Sequence, residues 1–465
     1  MLRRLRVSRA QPRREITTLF ADSRRLLAAA CGLVTLVLWN AAQAAPRIQG
    51  WQTANGARVL FVAAPDLPMV DVRVVFDAGS AHEGAHSGLA SLTNSMLAQG
   101  AGDWSADQIA DRLESVGAKL GSGSARDMAW ASLRTLTRQP AMETAIQTLA
   151  GILAQPSFKA ADFERVRQNR LVALRQDEQD PGTVGSKAVY RAVFGRHPYA
   201  TDPGGTLDSV SAIERDDLGD FHRRYYVARN AVVAIVGDLE TVQAHAVAEE
   251  IMRGLPAGEH AAPVPPVPDL AAGAVERLAF PSVQTHIYAG QPGISRGDAD
   301  YFPLYVGNHI LGGSGLVSLL MEEIREKRGL SYSVYSRFLP MAQRGPFLLG
   351  LSTKNAQVEE ARKVLMDTVS RFREQGPTSE ELSAAVKNIT GGFPLRIDSN
   401  ADIVQYLAMI GFYGLPLDYL DTFNDRVSAV TAEQVRDAFR RRVDPATFAV
   451  VIVGPPQSQV AGASG

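Results

Sequence analysis

Five consecutive residues, His82-Glu83-Gly84-Ala85-His86, have the types and spacing of a zinc peptidase centre. In that chemistry two imidazoles hold the metal, and the Glu beside one of them acts as general base. The pattern works on a helix, where residues four apart share a face. The neighbours here argue against a helix. Val70, Val72, Val74 and Phe76 alternate with polar or solvent-tolerant residues, the period of a half-buried strand. Gly79, Gly84 and Gly88 then punctuate the segment. The five residues are expected to form a polar surface loop that matches by accident, with an autonomous zinc site on His82 and His86 as one alternative.

A helix is expected from about Gly88 to Gln99, stopped by Gly100, with Leu89, Ala90, Leu92, Met96 and Leu97 on its apolar side. The order strand, Gly79-Ser80, short loop, Gly88-Leu89-Ala90, helix, Met96-Leu97 and Gly100 resembles the first half of the M16 (pitrilysin/insulinase/mitochondrial processing peptidase) metallopeptidases. In active members this helix carries His-x-x-Glu-His. The corresponding positions here read Ser91, Asn94 and Ser95. None is an imidazole or a carboxylate, and Asn94 cannot accept a proton. The family's third ligand, a Glu on a later helix, falls around Leu171-Val172-Ala173-Leu174, which also lacks a carboxylate. The resemblance thus implies a degenerate zinc site and no metal held by this chain.

Further along, Gly312-Gly313-Ser314-Gly315 precedes an expected helix with Leu316, Leu319, Leu320 and Ile324 on one face and Gly329 as its stop. Leu330 to Phe338 then reads as a strand. No Gly-Lys-Ser/Thr follows the glycines, so they do not form a phosphate cradle. Taken alone, Arg328 reads as a last-turn Arg favourable with the helix dipole, and Tyr332 as a core residue beside Leu330 and Val334. A guanidinium and a phenol can equally be donors aimed at developing negative charge. The resemblance implies the second: in M16 enzymes the Arg-Gly-Leu-x-Tyr segment faces the zinc across the substrate cleft. By that resemblance Arg328 and Tyr332 contact the peptide backbone, Tyr332 donates to the oxyanion, and Gly312, Gly313 and Gly315 belong to the substrate-binding side.

Two stretches of the chain are related. Val210-Ser211-Ala212-Ile213 answers Val427-Ser428-Ala429-Val430, and Arg223-Arg224 answers Arg440-Arg441. Val233-Ala234-Ile235-Val236-Gly237 answers Val450-Val451-Ile452-Val453-Gly454. Every pair is 217 residues apart, without a gap. Single matches reflect core patterning; the shared register points to a duplicated domain, too long for a solenoid repeat. The expected fold is α+β: two homologous M16-type domains, each a mixed, mostly antiparallel sheet with helices packed on it, together half of a clamshell. The expected divisions are residues 45–255, a Pro-rich linker at 256–275 (Pro256, Pro263, Pro265, Pro266, Pro268), residues 276–458, and a disordered tail at 459–465.

Residues 1–44 stand apart. Eight Arg and two acidic residues precede or flank the apolar run Leu26 to Trp39, and Ala42-Gln43-Ala44 offers small residues for cleavage. This reads as a secretory signal peptide, hence a periplasmic or secreted protein; a mitochondrial presequence is the runner-up. The run is shorter than the ~20 residues of a spanning helix. The whole chain has 48 basic and 49 acidic residues, so its loss leaves 40 and 47, a net charge of −7. An acidic mature chain is no candidate for binding a phosphate backbone. The only Cys, Cys31, leaves with the peptide.

Heterodimeric bacterial M16 proteins divide the work between a subunit with His-x-x-Glu-His and one with the Arg/Tyr pair. This chain resembles the second kind. The expectation is an exported, zinc-less subunit, with Zn2+ in an active M16 partner, that helps bind extended peptides. A non-proteolytic structural or binding protein of the superfamily is the alternative.

Overall fold

The computed structural model describes residues 47–270 and 272–456. The expected signal peptide and the expected tail at 459–465 lie outside the described residues. Strands β1 (Gln49–Gln52), β2 (Arg58–Ala63), β3 (Met69–Phe76), β4 (Lys119–Ser124), β5 (Ala129–Leu136) and β6 (Ala231–Gly237) form one sheet in the order β1-β2-β6-β3-β5-β4. Strands β7 (Val275–Ala279), β8 (Gln284–Pro292), β9 (Val334–Phe338), β10 (Pro346–Lys354) and β11 (Ala449–Gly454) form a second sheet, β7-β11-β8-β10-β9. Both sheets are antiparallel except for one pair each, β2 with β6 and β7 with β11. The helices that matter below are α1 (Leu89–Met96), α2 (Ala160–Asp177), α3 (Pro181–Phe194), α4 (Arg215–Tyr225), α5 (Tyr301–Asn308), α6 (Asn400–Phe412) and α7 (Ala432–Arg442).

The repeat seen in the sequence is a repeat of structure. Helix α4 corresponds to α7, β6 to β11 and α3 to α6, and β2-β6-β3-β5-β4 recurs as β7-β11-β8-β10-β9. The halves exchange helices. Helix α3, from the first half, packs on β11 and β8 of the second sheet; α6, from the second half, packs on β6 and β3 of the first. Ala188, Val189, Val193 and Phe194 of α3 share a buried cluster with Leu348, Val451 and Val453.

This exchange corrects one expectation. Strand β3 is central and buried on both sides, Val75 included, rather than half-buried, because α6 covers the face that local alternation left polar. Asp71, on that strand, is kept buried by Arg134, whose Nε lies 2.9 Å from its carboxylate. The stretch 256–270 contains no helix or strand, but it is fastened down. Val264 and Val267 are buried in the second-sheet cluster, and the His197 ring bonds the Pro265 carbonyl at 2.8 Å.

Candidate functional site

Helix α1 begins at Leu89, after Gly88, whose φ of 97° suits glycine. Its N-terminus is capped from a distance. Glu83 accepts hydrogen bonds from the backbone N–H groups of Ala90 (2.7 Å) and Gly88 (3.0 Å). Burial pushes this carboxyl up to about 8, against those two donors, and nearby Asp202 adds to the rise. His82 is held elsewhere, its Nε2 2.6 Å from Asp77 Oδ1 and its ring stacked on Tyr225. His86 is half-exposed, with Nδ1 3.6 Å from Asp217. The three residues of the His-Glu-x-x-His string therefore face three different partners. The expected polar surface loop is corrected: His82 and Glu83 are structural, and Glu83 is an end-cap, not a base. Among the described residues no group of three or more His, Cys, Asp or Glu could hold a metal ion.

Ser91, Asn94 and Ser95 lie on α1 as the spacing implies. The Ser95 hydroxyl donates back to the Ser91 carbonyl at 2.8 Å, within the helix. The Asn94 side chain is 2% exposed; its amide donates to the Trp130 carbonyl (3.2 Å) and lies 3.3 Å from the Tyr226 hydroxyl. Helix α2, carrying Leu171 to Leu174, does pack against α1. Leu171 and Leu174 are buried, and Val172 is exposed. Ser91, Asn94 and Ser95 offer only neutral hydroxyls and an amide already committed to a protein carbonyl. These residues do not fit a zinc ion, which takes imidazole, thiolate or carboxylate.

The second-half segment departs from the expected helix and strand. One 3-10 turn, Gly315–Val317, leaves Leu316 67% and Val317 83% exposed, so Leu316 does not join the apolar face. Ser318 interrupts the helix: its hydroxyl donates to the Gly315 carbonyl (2.8 Å) and restarts the chain as a new N-cap before Leu319. A wide π turn, Glu322–Glu326, follows, ending near Gly329. The strand begins at Val334, not Leu330, because Ser331 and Ser333 bond each other in a local turn. Gly312 is buried where a Cβ would meet Ser336 N at 2.5 Å; Gly313 faces Asn308; Gly315, with φ +64°, is exposed.

Tyr332 is 80% exposed, not a core residue, and Arg325 lies over its ring at 4.6 Å. Its hydroxyl makes no hydrogen bond among the described residues. Arg328 uses Nη1 to bond Glu323 twice, at the carboxylate (2.6 Å) and the carbonyl (2.7 Å). Glu323 also takes Lys327 and Arg371, each at 3.0 Å. Burial raises its carboxyl, but the bonds from Arg328, Lys327 and Arg371 outweigh this and hold it at about 2. Sequence reasoning missed Glu323 and Arg325; the available signal was the dense alternation of charge in Glu322-Glu323-Ile324-Arg325-Glu326-Lys327-Arg328.

Residues 58–203 match the family profile described as "Insulinase (Peptidase family M16)", and residues 212–389 match "Peptidase M16 inactive domain". The chain belongs to the M16 peptidase family. This M16 chain is 39% identical to a Pseudomonas fluorescens protein solved as a peptidase M16 inactive domain, with a TM-score of 0.85 over 88% of this chain and 98% of that one. It is 28% identical to the non-peptidase homolog YmxG of Helicobacter pylori over 86% of this chain and 93% of that one. It is 27% identical to an uncharacterized zinc protease of Streptomyces coelicolor, over 86% and 88%. It is an inactive-type M16 homologue. No described helix is long and apolar enough to cross a membrane.

Proposed function

We propose that this M16 chain is an exported, zinc-less subunit that pairs with an active M16 subunit and helps it act on extended peptides. The observation that carries this is Tyr332: a large aromatic, exposed, with a free hydroxyl, on a segment pinned by Glu323. An aromatic side chain standing in solvent on a fastened loop reads as a binding residue. Leu316 and Val317 add exposed apolar surface on the turn beside Gly315. Arg328 Nη1 is committed to Glu323, yet its Nε and Nη2 make no hydrogen bond among the described residues and remain donors for a peptide carbonyl. The partner performs the hydrolysis, Tyr332 supplies one hydrogen bond to the oxyanion, and Arg328 holds the peptide and the loop together.

The alternative, a structural or binding protein with no part in proteolysis, is separated by one experiment. The heterodimer is reconstituted with wild-type partner, equal assembly is confirmed, and peptide turnover is measured. Tyr332→Phe removes a hydroxyl that makes no hydrogen bond among the described residues, so folding and assembly stay intact, and kcat falls on the order of 10²–10³. Arg328→Ala raises KM more than it lowers kcat. Unchanged turnover with Tyr332→Phe assigns the protein to the scaffold class.

A further inference from the structure

We infer that a pocket at the junction of the two halves is a binding site for a small multivalent oxyanion. The pocket has a volume of about 390 Å³ and is lined by Arg58 of β2, Arg229 just before β6, Arg296 after β8, and Tyr413 after α6. Three arginines from three distant segments thus line one space. None has a carboxylate within 4 Å among the described residues. Asp77 also lines the pocket, but its carboxylate is bonded to His82 at 2.6 Å.

The protein itself supplies the comparison. Elsewhere it builds arginine clusters around a carboxylate: Arg328 and Arg371 meet on Glu323, and Arg441 and Arg442 meet on Asp300. The contrast is sharpest at another pocket, in the second half. It is lined by Arg344, Arg441 and Arg442. Each of those arginines has its own aspartate, Asp269 for Arg344 and Asp300 and Asp298 for the other two. The junction pocket has three arginines with no carboxylate paired to them among the described residues.

Its cations are also held in place. Arg58 Nη1 donates to the Gly411 carbonyl at 3.0 Å, which leaves the rest of the guanidinium uncommitted. Arg296 lies over the Tyr413 ring at 5.4 Å, and its Nε is buried with no hydrogen-bond partner. Converging like charges repel, and a buried N–H without an acceptor is costly. An oxyanion with two or more charges answers the repulsion, since the exposed edges of planar guanidinium groups donate to its oxygens in pairs. Phosphate and carboxylate anions share this chemistry, and the site bridges segments of both halves.

The test is calorimetric titration of the mature chain at 150 mM KCl with inorganic pyrophosphate and, separately, with citrate. Saturable binding of at least one probe is expected, and the preferred probe tells phosphate-type from carboxylate-type ligands. Arg229→Gln and Arg296→Gln should each weaken it at least tenfold, with near-UV circular dichroism unchanged. Arg229 is exposed, so its substitution leaves the fold intact even if Arg296→Gln does not. Arg344→Gln, in the aspartate-filled pocket, should leave the affinity as it was. No saturable heat with either probe, full affinity in Arg229→Gln, or equal loss in Arg344→Gln would each overturn the assignment.

Discussion

Replacing Glu323 by Gln keeps the shape of the side chain and removes the charge on which Lys327, Arg328 and Arg371 converge. The three bonds hold the carboxyl at about 2, against an ordinary value of 4.5. At ~1.4 kcal/mol per pKa unit that drop corresponds to about 3 kcal/mol of stability at neutral pH. The three cations are each about half exposed, so solvent screening brings the expected loss to about 2 kcal/mol. The sign of the pH dependence follows from the depressed pKa. The stabilisation is complete above pH 4.5, the unfolded value, and is lost as pH falls through about 2. Urea unfolding of wild type and Glu323→Gln should therefore differ by about 2 kcal/mol at pH 7 and by roughly half of that at pH 3. Equal midpoints at pH 7, or a difference that does not shrink in acid, would refute the view that this carboxylate organises the segment carrying Tyr332.

Installing His at 91 and 95 and Glu at 94 should not create a peptidase. Glu at 94 cannot donate to the Trp130 carbonyl as Asn94 does, and no carboxylate stands at 171–174, so peptide hydrolysis by the triple variant alone would count against the degenerate site. Glu83→Gln keeps one acceptor oxygen but sets an Nε2 donor against the other backbone N–H, so a loss of about 1–2 kcal/mol is expected at neutral pH even though a carboxyl at about 8 is already mostly protonated there. Wild-type stability should decline as pH rises from 4.5 through about 8, where a raised carboxyl loses its proton, and the variant should lack that decline in thermal unfolding across the range. Gly79→Ala would place a Cβ 2.2 Å from the Arg126 carbonyl oxygen and 2.4 Å from Asp127 C. Both contacts are backbone, so a loss of about 3 kcal/mol or more is expected in denaturant unfolding, with a wild-type midpoint as the contrary result.

Part of this was legible before the structure. The apolar side of α1 and the placing of Ser91, Asn94 and Ser95 along it follow from short-range periodicity, and the register between Val210 and Val427 from comparing the chain with itself. What escaped was decided by distant or competing groups. Nothing near β3 announces that α6, more than 300 residues later, will cover its second face. Ser318 looks like an ordinary helix residue until its hydroxyl takes the Gly315 carbonyl, and Tyr332 looks like core until the Ser331–Ser333 turn delays the strand. The His82-Glu83 pair shows the reverse failure: a string with a strong chemical meaning whose members serve as a hydrogen-bond partner of Asp77 and a helix cap.

The reciprocal placement of α3 and α6 makes each half an incomplete protein. A first half made alone would leave β6 and β3 bare where α6 belongs, and a second half would leave β11 and β8 bare where α3 belongs. Two such pieces are each other's missing part. A single cut in the stretch 256–270 would then sever the chain without separating the molecule, and separately expressed halves should each be aggregation-prone yet combine into one soluble species. Two separate copies of such a half, trading one helix, would make the same arrangement.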